Sequence, residues 1–91
     1  NPTHFAIAFK YETGMHAPSC LAKGIDFLAL EIRKIAEENN IAVVEDPPLA
    51  RMLYKIVEVD QEIPVEVYKP VAEVVGYVMR LKARRARQKQ R

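Results

Sequence analysis

The run from His4 to Tyr11 constrains this chain more than any other stretch, because it alternates large and small apolar side chains with period two. Phe5, Ile7, Phe9 and Tyr11 fall on one face, and Ala6, Ala8 and Lys10 on the other. Strict alternation is the mark of a β-strand. The alanines imply that the second face is covered as well. A strand covered on both sides belongs inside a sheet with helices packed on it. The rest of the chain supplies those helices.

Glu12-Thr13-Gly14 reads as a turn, and Cys20 to Lys23 as a short second strand ending at Gly24. Residues 25–39 read as an amphipathic helix with Ile25, Leu28, Ile32 and Ile35 on its inward stripe. Asn39-Asn40 tolerate the left-handed conformation that ends a helix. Ile41-Ala42-Val43-Val44 is a short apolar strand, of the kind buried on both sides in parallel sheets. Asp46 caps a helix opened by Pro47 and Pro48, with Leu49, Leu53 and Ile56 facing inward. Asp60 to Pro64 is a loop, and a short turn follows through Tyr68. Pro70 stands near the start of a last helix lined by Val71, Val74, Val75 and Val78. The expected fold is α/β: one compact domain with a small mixed sheet surrounded by helices.

With 91 residues the chain holds one domain. A domain of this size buries only about two-thirds of its unfolded surface. No apolar run approaches the roughly 18 residues needed to span a bilayer. Cys20 is the one cysteine, so no disulfide framework or multi-cysteine metal site exists, and a buried small hydrophobe is its expected role. His4 and His16 lack a second ligand at metal spacing. Gly14, Gly24 and Gly76 are isolated, so no glycine loop cradles a phosphate. With no nucleophile elbow or metalloprotease helix either, the reading is of no turnover enzyme and no cofactor.

Charge divides the chain. Seven of its 14 basic residues and none of its 12 acidic residues lie from Arg80 onward. The first 79 residues are therefore acidic on balance and the end is basic. Residues 83–91 read as a disordered or frayed helical tail, with acidic lipid head groups or an acidic protein surface as the alternative role. No aromatic is interleaved with the basic residues, so nucleic acid is not an expected partner.

The chemistry lies at Asn1-Pro2-Thr3-His4. Proline has no N–H with which to attack the Asn1 side chain, so ordinary deamidation is blocked. The reverse attack stays open, from the Asn1 side-chain nitrogen onto its own main-chain carbonyl. Good alignment makes such an intramolecular attack worth an effective concentration of roughly 10⁵–10⁸ M. Thr3 and His4 supply a hydroxyl and an imidazole to orient the amide or pass a proton. Asn-Pro also opens ordinary turns, and that reading stands beside the first.

A longer ordered series accompanies the tetrapeptide. Phe5-Ala6-Ile7-Ala8, Met15 and Ala17-Pro18 come first, then Leu21-Ala22-Lys23-Gly24 with Asp26, Ile32-Arg33 and Ala36-Glu37. Pro48-Leu49-Ala50-Arg51, Leu53-Tyr54, Gln61, Ile63-Pro64, Tyr68 and Val71-Ala72-Glu73-Val74 complete it. Over residues 1 to about 82 this resembles the cytoplasmic domain of the FlhB/YscU/SpaS family of type III export specificity switches. Met15-His16-Ala17-Pro18 and Leu21-Ala22-Lys23-Gly24-Ile25-Asp26 look like its flagellar branch rather than its injectisome branch.

The resemblance implies self-cleavage between Asn1 and Pro2, with Asn1, Pro2, Thr3 and His4 as the reacting group. It implies a domain at the cytoplasmic face of the bacterial inner membrane, preceded by a membrane-embedded half and by a strand that this chain lacks. The cut enables a change from rod and hook substrates to filament-class substrates. Implied partners are those substrates, other export-gate membrane proteins, a hook-length control protein and the domain's own upstream fragment. Ala17, Pro18, Ala72 and Val75 are the candidate substrate contacts, since together they can form a small apolar hollow. The alternatives are a non-cleaving structural or adaptor domain, or the equivalent injectisome switch.

Overall fold

The alternating strand is the middle of the sheet. In a computed structural model that describes residues 2–89, β1 (Phe5–Lys10) lies between β2 (Ser19–Ile25) and β3 (Ala42–Val44), antiparallel to both. Its register sets Phe5 opposite Ile25, Ala8 opposite Ala22 and Val43, and Phe9 opposite Cys20 and Ala42, with an irregularity between Ala8 and Phe9. The mixed character expected of the sheet is confined to one isolated parallel bridge, Cys20 with Val59. β3 is short and buried at Ala42 and Val44, but it runs antiparallel to β1. The tight α1-to-β3 connection returns the chain beside β1 in the opposite sense.

The two faces of β1 carry two cores. Ile7 and Phe9 are buried with Val44, Leu53, Val57, Ile63, Val67 and Val71. Each such side chain contributes about 1.5–3 kcal/mol when fully removed from water. On this side pack α2 (Pro47–Ile56) and α3 (Tyr68–Lys89), the latter entered through a 3-10 turn, Val65–Val67. The other core is thin: Ala6 and Ala8 meet Ala29 and Ile32 of α1 (Asp26–Asn39).

That thin layer corrects the expected stripe of α1. Its buried residues are Ala29, Ile32 and Ala36, at helical spacing, while Leu28 and Ile35 are both 53% exposed. Alanines on β1 let the helix lie close, so that Ala29 and Ala36 flank Ile32 on the buried side. Gly24 belongs to the same packing, because a Cβ there would stand 2.6 Å from Leu28 Cγ. The α2 stripe shifts in the same way. Ala50, Leu53 and Val57 are buried, Leu49 packs at the edge, and Ile56 is exposed.

The ends of the helices follow the chemistry read from the sequence. Asp46 accepts a hydrogen bond from the Leu49 amide at 3.4 Å, and Asn40 closes α1 with φ 55°. Val71 and Val75 of α3 are buried, with Val74 and Val78 packed beside them. Over the described part of the tail expected at 83–91 the chain is helical, since α3 continues to Lys89, and residues 90 and 91 lie outside the described residues. Beyond Gly76 it meets no proline or glycine, and Ala, Arg, Lys and Gln are strong helix formers. Residues 82–88 are exposed, and Arg85 donates a hydrogen bond to the Asn40 side chain.

Candidate functional site

Two places answer to the residues singled out by sequence, and β1 separates them. Thr3 and His4 lead directly into its first residue, and Tyr11 follows its last. At about 3.4 Å per residue the strand holds the two places roughly 20 Å apart.

At the first place, Asn1 lies outside the described residues, so the geometry begins with Pro2. Pro2 is half-buried, and Thr3 and His4 are exposed. The pairing of Phe5 with Ile25 brings this segment against the start of α1. There Asp26 takes hold of it. Asp26 Oδ1 accepts hydrogen bonds from the Thr3 amide at 3.0 Å, the His4 amide at 3.2 Å and Thr3 Oγ1 at 3.5 Å. The Asp26 amide in turn donates to the His4 carbonyl at 2.9 Å. Hydrogen bonds from the Thr3 and His4 amides hold the Asp26 carboxyl below the usual carboxylate range, with His4 a smaller influence. Thr3 Oγ1 stands 3.0 Å from His4 Nδ1, so the hydroxyl and the imidazole form a pair.

Asp26 adopts φ 47°, a left-handed conformation that a non-glycine residue enters at about 1–2 kcal/mol. Sequence reading met Asp26 only as a member of the resembling series and gave it no role. The available signal was an acidic side chain at a strand-to-helix junction, where exposed amides collect.

At the second place, Ala17, Pro18, Ala72 and Val75 line one hollow of about 340 Å³. Ala17 and Val75 are buried in its floor, Pro18 is half-buried, and Ala72 is exposed. The hollow is built by main-chain bonds on one side and helix packing on the other. The Pro18 carbonyl accepts from the Ile63 amide at 3.0 Å, and the Cys20 amide donates to the Gln61 carbonyl at 3.0 Å. These bonds tie the 17–20 segment to the loop ahead of α3. Tyr11, Tyr68 and Met79 also line it, residues not assigned to it from sequence. They come together only through the antiparallel return of β2 and the position of α3.

The remaining candidates have structural partners. Arg51, weighed as a partner anchor or a salt-bridge residue, instead holds its guanidinium 5.5 Å from the centre of the Phe5 ring. Lys23 Nζ donates to the carbonyls of Tyr54 at 3.0 Å and Val57 at 2.8 Å, at the C-terminal end of α2. A cation there meets the negative end of the helix dipole. Cys20 is buried, and burial pushes its thiol pKa up, as fits a small core residue. His16 lies 3.5 Å from Glu62 at the surface. Among the described residues no cluster of three metal-ligating side chains forms, and no helix is long and apolar enough to cross a membrane.

Comparison with known proteins places these features in context. The profile of the FlhB HrpN YscU SpaS Family matches residues 1–78. The chain is 55% identical over 83 residues to the flagellar biosynthetic protein FlhB of Bacillus subtilis, covering 90% of this chain and 23% of that protein. It is 49% identical over 83 residues to that of Escherichia coli, covering 90% and 22%. The chain thus spans under a quarter of the length of these relatives. Among solved structures, the cytoplasmic domain of FlhB from Shewanella putrefaciens superposes with a TM-score of 0.71 at 45% identity, over 84% of this chain and 64% of that one. The PscU C-terminal domain gives 0.74 at 42% identity, over 85% and 99%.

Proposed function

We propose that this chain, which belongs to the FlhB HrpN YscU SpaS Family, is the part of a flagellar type III export protein that cuts its own backbone once and then selects export substrates. The observation that carries this reading is the family match over residues 1–78, which includes Asn1-Pro2-Thr3-His4. The same match, with the FlhB relatives, supports a position at the cytoplasmic face of the inner membrane.

The cut conserves every atom. The Asn1 side-chain nitrogen attacks the Asn1 carbonyl carbon, and the new C–N bond closes a succinimide. The bond to Pro2 breaks. The attacking nitrogen gives up one proton and the Pro2 nitrogen takes one, so no co-reactant is needed. Thr3 and His4 are the groups close enough to Pro2 in sequence to pass that proton. The domain turns over once and is not an enzyme in the ordinary sense.

The two products stay together, because ladder hydrogen bonds and buried side chains do not need an intact bond at a turn. Cleavage lifts a covalent constraint and makes a second arrangement of the turn accessible. Substrates dock at the hollow of Ala17, Pro18, Ala72 and Val75, which accepts a short apolar signal. Uncut protein passes rod and hook subunits, and the cut form switches to filament-class subunits. The test is an export profile of cells carrying Asn1→Ala in the full-length protein. The reading expects rod and hook subunits outside the cell and filament-class subunits retained. Normal secretion of filament-class subunits by uncut protein contradicts the switch.

A further inference from the structure

Asp26 is the strongest feature that the reading above leaves unused. One exposed carboxylate gathers two amides and a hydroxyl from a segment that has no regular secondary structure of its own. It does so from a positive-φ backbone conformation uncommon among non-glycine residues. A side chain that only opened α1 would bond the amides of its own helix's first turn. This one reaches back 22 and 23 residues instead. The Asp26 amide closes the same loop from the other direction by binding the His4 carbonyl.

We propose that Asp26 is a positioning residue for the cut: its carboxylate clamps Thr3 and His4 so that the chain just after Pro2 is held still while Asn1 reacts. The proposal rests on the cleavage reading. Its physical basis is that an intramolecular attack gains rate from fixed geometry. The leaving nitrogen belongs to Pro2, and Pro2 is joined to Thr3. A wandering Thr3 carries the leaving group through many orientations, and a clamped one restricts it to few. The clamp also fixes the backbone that carries Thr3 Oγ1 and His4 Nδ1, which stand 3.0 Å apart, one and two residues after the departing nitrogen in sequence.

Glycine and asparagine at this position separate clamp from backbone and clamp from charge. Asp26→Gly removes the acceptor and suits φ 47° better than aspartate, so the fold stands. Asp26→Asn keeps one oxygen acceptor and removes the charge. Both are made in the full-length protein, with cleavage followed on denaturing gels after a pulse of synthesis. Thermal melting confirms the fold, and amide hydrogen exchange reports the clamp directly at Thr3 and His4.

The expected result is cleavage slowed at least tenfold in Asp26→Gly and within about threefold of wild type in Asp26→Asn. Exchange at the Thr3 and His4 amides should be at least tenfold faster in Asp26→Gly than in the wild type. Cleavage of Asp26→Gly at the wild-type rate overturns the clamp's role and leaves self-cleavage standing. Asp26→Asn as slow as Asp26→Gly overturns hydrogen bonding in favour of a charge effect. Equal exchange in all three proteins overturns the clamp itself. A wild type that never cuts overturns the cleavage reading, and with it any rate for Asp26 to set.

Discussion

The segment ahead of β1 and the hollow at the strand's other end are built from opposite materials. Ahead of β1, Thr3 and His4 are exposed, and one carboxylate gathers their amides by hydrogen bonds. The hollow is apolar, and its floor is part of the main core: Val75 packs with Phe9, Val67 and Val71. A hydrogen-bonded surface segment can be altered while the domain stays folded. An apolar hollow shares its floor with the core, so only its rim can be changed without touching stability. The difference separates the residues proposed to react from those proposed to recognise substrate.

The largest effect that tests this separation is all-or-none. Asn1→Ala removes the attacking amide, so cleavage should vanish while the melting temperature and the binding of a rod or hook subunit stay at wild-type values. Lost binding in that variant would show that segment and hollow are one unit. Next in size is the floor of the hollow. Ala17 is 3% exposed, so Ala17→Asp buries a carboxylate with no partner. It should destabilise the domain by about 3 kcal/mol or more, which is a fall in melting temperature of more than about 12 °C by thermal denaturation.

The rim should behave differently. Ala72 is exposed, so Ala72→Asp should fold, cut itself normally and melt within about 4 °C of the wild type, near 1 kcal/mol or less for a domain this size. Its affinity for an early export substrate, measured by titration, should fall at least tenfold. A folded Ala72→Asp with unchanged affinity would move the signal site elsewhere.

Much of this arrangement was legible in the sequence because it rests on period and on single residues. Alternation placed β1, paired prolines after Asp46 placed α2, and Asn40 placed the end of α1. The inward side of α1 was not legible. A search for large apolar side chains chose Leu28 and Ile35, whereas the alanines of β1 select Ala29 and Ala36. Strand direction was missed at β3 for a related reason, since an apolar run reads alike in either sense. Ala17, Pro18, Ala72 and Val75 were chosen as small apolar neighbours of a loop and a helix, and they do meet. Tyr11, Tyr68 and Met79 join them through packing that no local pattern carries. Asp26 escaped because its bonds span more than 20 residues, beyond the reach of any capping rule.

The smallest effect belongs to the basic end. Although α3 runs to Lys89, its residues 82–88 are exposed, and Arg85 is hydrogen-bonded to Asn40 of the body. Exposed ties of this kind contribute little, and a helical extension without packing is marginal in water. Removing the residues after Lys82 should shift the melting temperature by less than about 4–8 °C, near 1 kcal/mol, and should leave both segment and hollow working. A larger fall would show that the extension packs against the body.

Everything proposed for this domain begins with the bond between Asn1 and Pro2 breaking by attack of the Asn1 side chain. Intact mass spectrometry of the purified full-length protein under denaturing conditions reads that event. The expected species is a C-terminal fragment whose mass begins at Pro2, present in the wild type and absent in Asn1→Ala. A wild type of undivided mass, or the same fragment from Asn1→Ala, would contradict it.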